Sequence, residues 1–454
     1  MMLARAIKED EAASAYGAKP RWNEADILHF AFRIDNYEHL AVAYGGRCAQ
    51  AVSAELLRIL KAEFAGDGII LSDGRDHLDA IVWDCEGVGG PDFRKRSVGR
   101  VQALCQALAL TTAARAGEPI HASLSFAWTL LPSADHWPEQ VVARDGPTAM
   151  MLSAVPFSGR PWSRNAEWGA AYREEMGQAA EMLGAIARDG PILAWQPIRN
   201  AARHDVVLYR EGLVRAKNGK GRYCDPAVHV AIMERLGLVR AFDQRMVEAV
   251  LDELERQPAV ALGVNVSAHS AVDDIWWRRA VERLRGRPDV ARRLIVEITE
   301  TAELRPITEA SAFVVRMQAL GCRVALDDFG VGRLSVRDVA MLAPDIIKVD
   351  ASFLRRAMAS DKDAAVFRHL VGLADNMAAQ VIVEGVQTRT DSRFASDAGV
   401  VWQQGYLLGE PSIGRCWDGR PCTDERACGL SATSPWSAPH LNRSLPTPAG
   451  SARS

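Results

Sequence analysis

From Ile192 onward the chain alternates apolar strand segments with amphipathic helical ones, and this limits the folds open to it more than any other feature. The strand segments are LAWQPI, VVLYREGL, ALGVNVS, RLIVEITE, RVALDDFG, DIIKVD, AQVIVEGV and VVWQQGY. Helical stretches such as HVAIMERLGL, VDDIWWRRAVERLR and AAVFRHLVGLADNM separate most of them. Parallel strands need long crossovers, and helices on those crossovers cover the sheet. Eight strands in this alternation predict an irregular (β/α)8 barrel of the TIM type over residues 191–415. The irregularity lies at the start. Only RNAARHD joins the first two strands, too short for a crossover, so that pair is expected to be an antiparallel hairpin.

Polar residues fall at the strand ends. Glu211 ends the second strand and Asn265 lies in VNVS. Glu297 lies in VEITE, Asp327 and Asp328 in LDDFG, Lys348 in IKVD, Glu384 in VEGV and Gln404 in QQGY. In a barrel these ends converge on the face where loops build the active site. A single acid there is most often a salt bridge or a loop cap; recurrence on successive strands is what points to chemistry. Several carboxylates in a partly dry pocket repel one another, and a divalent cation relieves the repulsion. An all-oxygen set without His or Cys suits Mg2+ or Mn2+ over zinc. Adjacent Asp327 and Asp328 suit two ions, an arrangement that activates water and steadies a phosphodiester leaving oxygen. Barrel enzymes that abstract protons also use strand-end acids with Mg2+ and Lys, so these residues alone leave a second reaction class open.

The chain has 454 residues, enough for a further domain before the barrel. Residues 21–160 read as a strand (ILHFAFRID), a helix with Val52, Leu56, Ile59 and Phe64 on one face, and a hairpin-like pair (GIILSD, AIVWD). A second helix (VGRVQALCQALAL) and a last strand (HASLSFAWTLL) follow. That order predicts an α+β unit with an antiparallel-cored sheet. Residues 161–190 read as a connecting helix capped by Ser163 and stopped by Asp189-Gly190-Pro191. Tyr172, Met176, Ala179, Leu183 and Ile186 form a seam that fits either a connector packed on its own domains or a dimer helix. Residues 1–20 and 416–454 read as flexible tails. With 54 Lys and Arg against 57 Asp and Glu, the net charge is −3, which gives no footprint for nucleic acid or anionic lipid. No apolar stretch is long enough to span a membrane, and the start lacks a signal peptide's apolar block. These features predict a cytoplasmic protein with reduced cysteines. Cys416, Cys422 and Cys428 recur every six residues, without the close pairing of a zinc site.

The stretch from Gln196 to Pro411 resembles the EAL domain family, phosphodiesterases that linearise cyclic di-GMP. The resemblance implies that Glu211 stands at the name-giving glutamate, here in EGL, and holds a first metal with Asn265, Glu297 and Asp327. It implies that Asp327, Asp328 and Glu384 hold a second. Lys348 is the implied group that positions or deprotonates the attacking water, with Gln404 as its polar support. Gln196 and Arg215 match substrate-gripping residues, and Glu300 matches the glutamate that anchors the loop after DDFG. A homodimer through this domain and a regulatory protein partner are also implied. Three departures bear on activity: Gly212 replaces the alanine of EAL; Val331, Arg333 and Leu334 replace Thr, Tyr and Ser in the loop; Gln387 replaces an acid in VEGVQ. Low or regulated hydrolysis of cyclic di-GMP to pGpG is therefore the implied function, and a catalytically silent receptor is the alternative. The N-terminal domain resembles a GGDEF domain, on FRIDNYEHLAVAYG and DGRDHLDAIV. Its metal aspartate position is Arg33, its guanine-reading positions are Ala41 and Gln50, and GGDEF reads GRDHL with Arg75 and His77. A cation at residue 33 opposes Mg2+ binding, which implies an inactive cyclase kept for regulation or dimerisation.

Overall fold

Two sheets organise the chain. The computed structural model describes residues 27–84, 90–110, 120–131, 166–217, 223–224, 227–299, 307–332, 334–415 and 417. The N-terminal lobe runs β1 (Ile27–Ile34), α1 (Tyr37–Tyr44), α2 (Gly46–Glu63), β2 (Gly68–Ser72), β3 (His77–Trp83), α3 (Gly90–Leu110) and β4 (Leu124–Leu131). Its sheet is antiparallel in the order β2-β3-β1-β4, the α+β unit that the element order predicts. β1 is central and buried on both faces, so ILHFAFRI is nearly continuous in apolar character. α2 turns Val52, Leu56 and Leu60 to the core, while Ile59 is only half-buried. Steps of four residues keep one helix face, and they land on Leu60.

Helix α4 (Ala166–Asp189) links the lobes. Tyr172, Met176, Ala179, Leu183 and Ile186 are all buried within the chain, so the seam is that of a connector packed on its own domains. The helix ends at Gly190, whose φ of +75° is the left-handed stop, with its N–H donated to the Ile186 carbonyl. The expected cap, Ser163, lies outside the described residues, as do the tails at 1–20 and 418–454 with Cys422 and Cys428, and also Cys416.

The barrel begins with the hairpin β5 (Ile192–Asn200) and β6 (Val207–Lys217), paired antiparallel with Gln196 opposite Glu211. β6 extends beyond the expected strand and pairs with the short β7 (Tyr223–Cys224). α5 (Ala227–Arg235) and α6 (Val239–Arg256) lead to β8 (Leu262–Ser267); α7 (Arg278–Gly286) and α8 (Pro288–Ala291) lead to β9 (Leu294–Thr299). Then come α9 (Ile307–Ala319), β10 (Arg323–Phe329), α10 (Val336–Leu342), β11 (Ile346–Val349), α11 (Ala351–Ala357), α12 (Asp361–Asp375), β12 (Gln380–Val383), α13 (Arg389–Asp397) and β13 (Trp402–Gln403). The strands from β6 through β8 to β13 pair in parallel, and β13 closes antiparallel onto β5. The result is a closed (β/α)8-type barrel of eight strands with its first strand reversed.

The side-chain period of two sorts the barrel interior into layers. Ile198, Tyr209, Ile295, Ala325, Ile346 and Ile382, with Trp402 and with Ala261 just before β8, form an apolar floor. Two residues nearer the mouth stand Gln196, Glu211, Gly263, Glu297, Asp327 and Lys348 on their strands, with Glu384 and Gln404 directly after β12 and β13. Outside the barrel wall a larger apolar cluster is continuous between the lobes, including Phe30, Leu60, Leu183, Phe242 and Leu326. Ser123 Oγ donates to the Gly237 carbonyl at 2.8 Å across that boundary. Among the described residues, no helix is long and apolar enough to cross a membrane.

Candidate active site

The polar layer is built around one lysine. Lys348 is fully buried, and its Nζ lies 2.7 Å from Glu384 Oε1, 2.8 Å from Glu297 Oε2, 3.0 Å from Asp327 Oδ1 and 3.2 Å from Glu211 Oε2. Burial opposes its charge, but Asp327, Glu211, Glu297 and Glu384 hold the ammonium well above its ordinary pKa. The carboxylates feel the opposite pressure. Burial pushes Glu297 up to about 8, and burial with the neighbouring Asp327 charge pushes Asp328 up to about 8. Burial also raises Asp327, and raises Glu384 well above the usual carboxylate range. Glu211 is the exception in this layer. Burial works against its charge, yet Lys348 and the amide donors of Gln404 and Asn265 bring it below its ordinary value.

Those donors are close. Asn265 Nδ2 donates to Glu211 Oε1 at 2.6 Å, and Gln404 Nε2 donates to Glu211 Oε2 at 2.6 Å and to Gln196 Oε1 at 3.2 Å. Gln196 Nε2 donates in turn to the Gly409 carbonyl at 3.1 Å. Gln404 thus supports Glu211 and not Lys348, which corrects the expectation. Its amide N–H group pairs with the Glu211 carboxylate, while its Oε1 is left without a partner. Arg215 stands four residues beyond Glu211 on the same side of β6, half-buried, with its guanidinium donating to the Val214 carbonyl at 2.9 Å. It sits apart from the carboxylate ring, toward the mouth.

Two adjacent aspartates on a regular strand would face opposite sides. Here the register of β10 shifts between Leu326 and Phe329, and Asp328 takes a left-handed φ of +57°. The bulge brings oxygens of Asp327, Asp328 and Glu384 within 4.8 Å of one another. Oxygens of Glu211, Glu297 and Asp327 form a second such group. Non-glycine residues at positive φ cost strain, which concentrates at functional sites.

The donor set fits divalent cations on observations independent of any resemblance. Asn265 Oδ1 and Glu297 Oε1 are buried without a hydrogen-bond partner, as a ligand oxygen would be before its ion arrives. Gly263 makes the room that Glu297 Oε1 occupies, since a β-carbon there would stand 2.0 Å from it. All the donors are oxygens, the choice of Mg2+ or Mn2+.

Two contributors escape a reading of strand ends. Tyr209 donates its hydroxyl to Glu297 Oε2 at 3.2 Å from the layer below, and Gly263 clears room for that carboxylate. Their signal is the same period of two, counted back from Glu211 and Asn265. Gln387 stands three residues beyond Glu384. It is exposed, and its backbone N–H donates to Asp391 at the start of α13. Glu300 and Arg333 lie outside the described residues. In the N-terminal lobe, Arg33 donates to Asp35 Oδ1 at 2.8 Å, Arg75 pairs with Glu38 at 2.8 Å, and exposed His77 lies 3.4 Å from Asp76.

Fold and site together define a (β/α)8-barrel protein with an acidic site, suited to cations, at the strand C-termini. The EAL domain family pattern matches residues 179–411, half of the chain, and the protein belongs to the EAL domain family. An uncharacterized signaling protein of Caulobacter vibrioides is 28% identical over 415 residues, covering 91% of this chain and 49% of that protein. The cyclic di-GMP phosphodiesterase PdeF of Escherichia coli is 26% identical over 252 residues, covering 54% of this chain and 33% of that protein. The chain therefore spans about half, or less, of the length of these curated relatives. A solved S helix-GGDEF-EAL structure of Vibrio cholerae LapD is similar with a TM-score of 0.48 at 14% identity, covering 84% of this chain and 89% of that one.

Proposed function

We propose that this chain hydrolyses cyclic di-GMP to linear pGpG with two divalent cations, Mg2+ or Mn2+. The observation that carries the reading is the pair of oxygen groups, Glu211–Glu297–Asp327 and Asp327–Asp328–Glu384, each gathered within 4.8 Å and sharing Asp327. Asn265 completes the first set through its unpartnered Oδ1. When bound, the cations supply Lewis acidity that activates water and steadies negative charge on phosphorus oxygens. The chain's own groups do the rest. Lys348 keeps its proton and offers a fixed positive charge where a pentacoordinate phosphorus gains negative charge. Gln404 Oε1, buried without a partner, accepts from the attacking water or from a substrate hydroxyl. Arg215, toward the mouth, faces the phosphate or base of a substrate entering from that side. Asp328 and Glu297, pushed up to about 8, would have to give their protons to solvent in order to hold a cation. Water adds to phosphorus, one ring ester P–O bond breaks, and the leaving oxygen takes a proton.

The test is direct. Purified chain incubated with cyclic di-GMP and Mn2+ or Mg2+ is expected to yield pGpG on chromatography, and Glu211→Ala to abolish it. One observation favours the receptor alternative: Lys348 already neutralises part of the carboxylate ring, so the site holds together without metal. Binding of the dinucleotide without pGpG under either metal would establish that reading instead. For the N-terminal lobe we propose a GGDEF-like domain without cyclase activity that regulates the barrel, as the cations at Arg33 and Arg75 support. A second copy is the proposed partner of the barrel, supported by exposed Val315, Val336 and Met341 on neighbouring α9 and α10.

A further inference from the structure

A crossover helix normally covers the outer face of its strands. β5 and β6 form a hairpin, so no crossover of their own covers theirs. With Gln196 and Glu211 inward, their neighbours Trp195 and Gly212 face outward and stand directly opposite each other. The fit between them is tight. A β-carbon on Gly212 would lie 3.0 Å from Trp195 Cζ3 and 3.0 Å from the Gly263 carbonyl oxygen. Trp417 packs edge-on against Trp195 with ring centroids 5.8 Å apart, and the Arg210 guanidinium lies 5.0 Å from the Trp417 ring centroid. The backbone is fastened as well. Trp195 N–H donates to the Ser412 carbonyl at 2.8 Å, and Ser412 N–H returns a bond at 3.2 Å. Arg415 forks onto Glu253, a buried acid of α6. Gln196, the residue after Trp195, passes this order inward through Gln404 to Glu211.

We propose that Trp195 and Gly212 are a matched pair, clamped by Ser412, Arg415 and Trp417, that sets the position of β6 and so of Glu211. Trp195 and Trp417 are then positioning residues for that carboxylate. On this reading the change from EAL to EGL is matched to Trp195: an alanine at 212 would need the Trp195 ring or the Gly263 carbonyl to yield by a few tenths of an ångström. The consequence at the metal rests on reading Glu211 as a ligand, whereas the pairing rests on packing alone.

The test is a double-mutant cycle in the full chain: wild type, Gly212→Ala, Trp195→Leu and both together. Thermal unfolding of the metal-free protein and calorimetric titration with Mn2+ are the readouts, and neither depends on hydrolysis. Gly212→Ala is expected to lower Tm by about 3 °C or more and to weaken Mn2+ binding about tenfold. In the Trp195→Leu background the same substitution is expected to cost little, so the effects do not add. Trp417→Phe is expected to retain Mn2+ affinity that Trp417→Ala loses. Additive Tm changes, or no change in Gly212→Ala, overturn the pairing. A lowered Tm with unchanged Mn2+ affinity in Gly212→Ala and Trp417→Ala overturns the positioning role. A wild type that takes up no Mn2+ sinks the metal reading and the positioning role with it, while the thermal cycle still decides the pair.

Discussion

Carrying an ammonium into a barrel interior costs several kcal/mol, and only close counter-charges offset it. Lys348 and its four carboxylates meet that condition reciprocally, each removing part of the other's burial penalty. Lys348→Met is therefore expected to destabilise the metal-free protein by about 3–5 kcal/mol, because it strands buried acids without a cation. Saturating Mn2+ should restore part of the loss. Denaturant unfolding with chelator and with Mn2+ measures both, and a Lys348→Met chain as stable as wild type in chelator would remove the lysine from this role. The acids make a second prediction. Glu297 and Asp328, pushed up to about 8, must shed protons before they bind a cation. Mn2+ affinity should accordingly climb as pH rises toward and through about 8, with proton release seen as a buffer-dependent heat of binding. A flat affinity over that range would mean the carboxylates are already ionised.

At the scale of elements, α6 connects the lobe boundary to the site. Its Asp243 is buried and accepts from the Ser267 N–H at 3.0 Å, two residues beyond Asn265. Burial drives its pKa from the ordinary 3.8 up to about 7. A raised carboxyl binds its proton more tightly folded than unfolded, so its contribution falls as pH rises from about 4 to about 7. Asp243→Asn should keep the acceptor and abolish this loss, worth at most about 4 kcal/mol. Urea unfolding at about pH 5 and about pH 8 tests it; equal pH slopes in the two proteins would show that Asp243 does not titrate in that window. The loop after β10 behaves differently at its two described altered positions. Val331 is exposed, whereas Leu334 packs against the core. Restoring Thr at 331 should leave stability unchanged, and Ser at 334 should cost about 1–2 kcal/mol of lost burial. An equal Tm for both variants would contradict that packing.

For the molecule as a whole, the lobes share one apolar cluster along α4, so neither is a passive appendage of the other. Segment 21–160 is expected to make no cyclic di-GMP from GTP, since Arg33 and Arg75 bring positive charge where Mg2+ needs acids. Product detected by chromatography would overturn this. Deleting that segment should lower the Tm of the barrel, because the α4 seam and the Ser123–Gly237 contact lose their partners. Unchanged Tm, mass and turnover after deletion would make the lobe energetically and functionally independent.

The (β/α)8 barrel, the hairpin at its start and the row of strand-end acids were legible in the sequence because each depends on local facts: period-two patterning, loop length and residue type. The reversed direction of β5 followed from RNAARHD alone. Other features depend on pairs of residues far apart in the chain, and no local pattern encodes them. The bulge that turns Asp328 toward Asp327 arises from how β10 registers on its neighbours. Gln404 was assigned to Lys348, but its nearest acceptor across the barrel is Glu211. Gln387 resembled a site residue in VEGVQ, and the turn into α13 carries it to the surface. Gly212 stands in the sequence only as a departure from EAL; folding sets it directly against Trp195. The sequence by itself determined which residues are available to the site and on which strand each stands. Barrel closure decided which of them touch, because burial and charge select partners only once all the strands are in place.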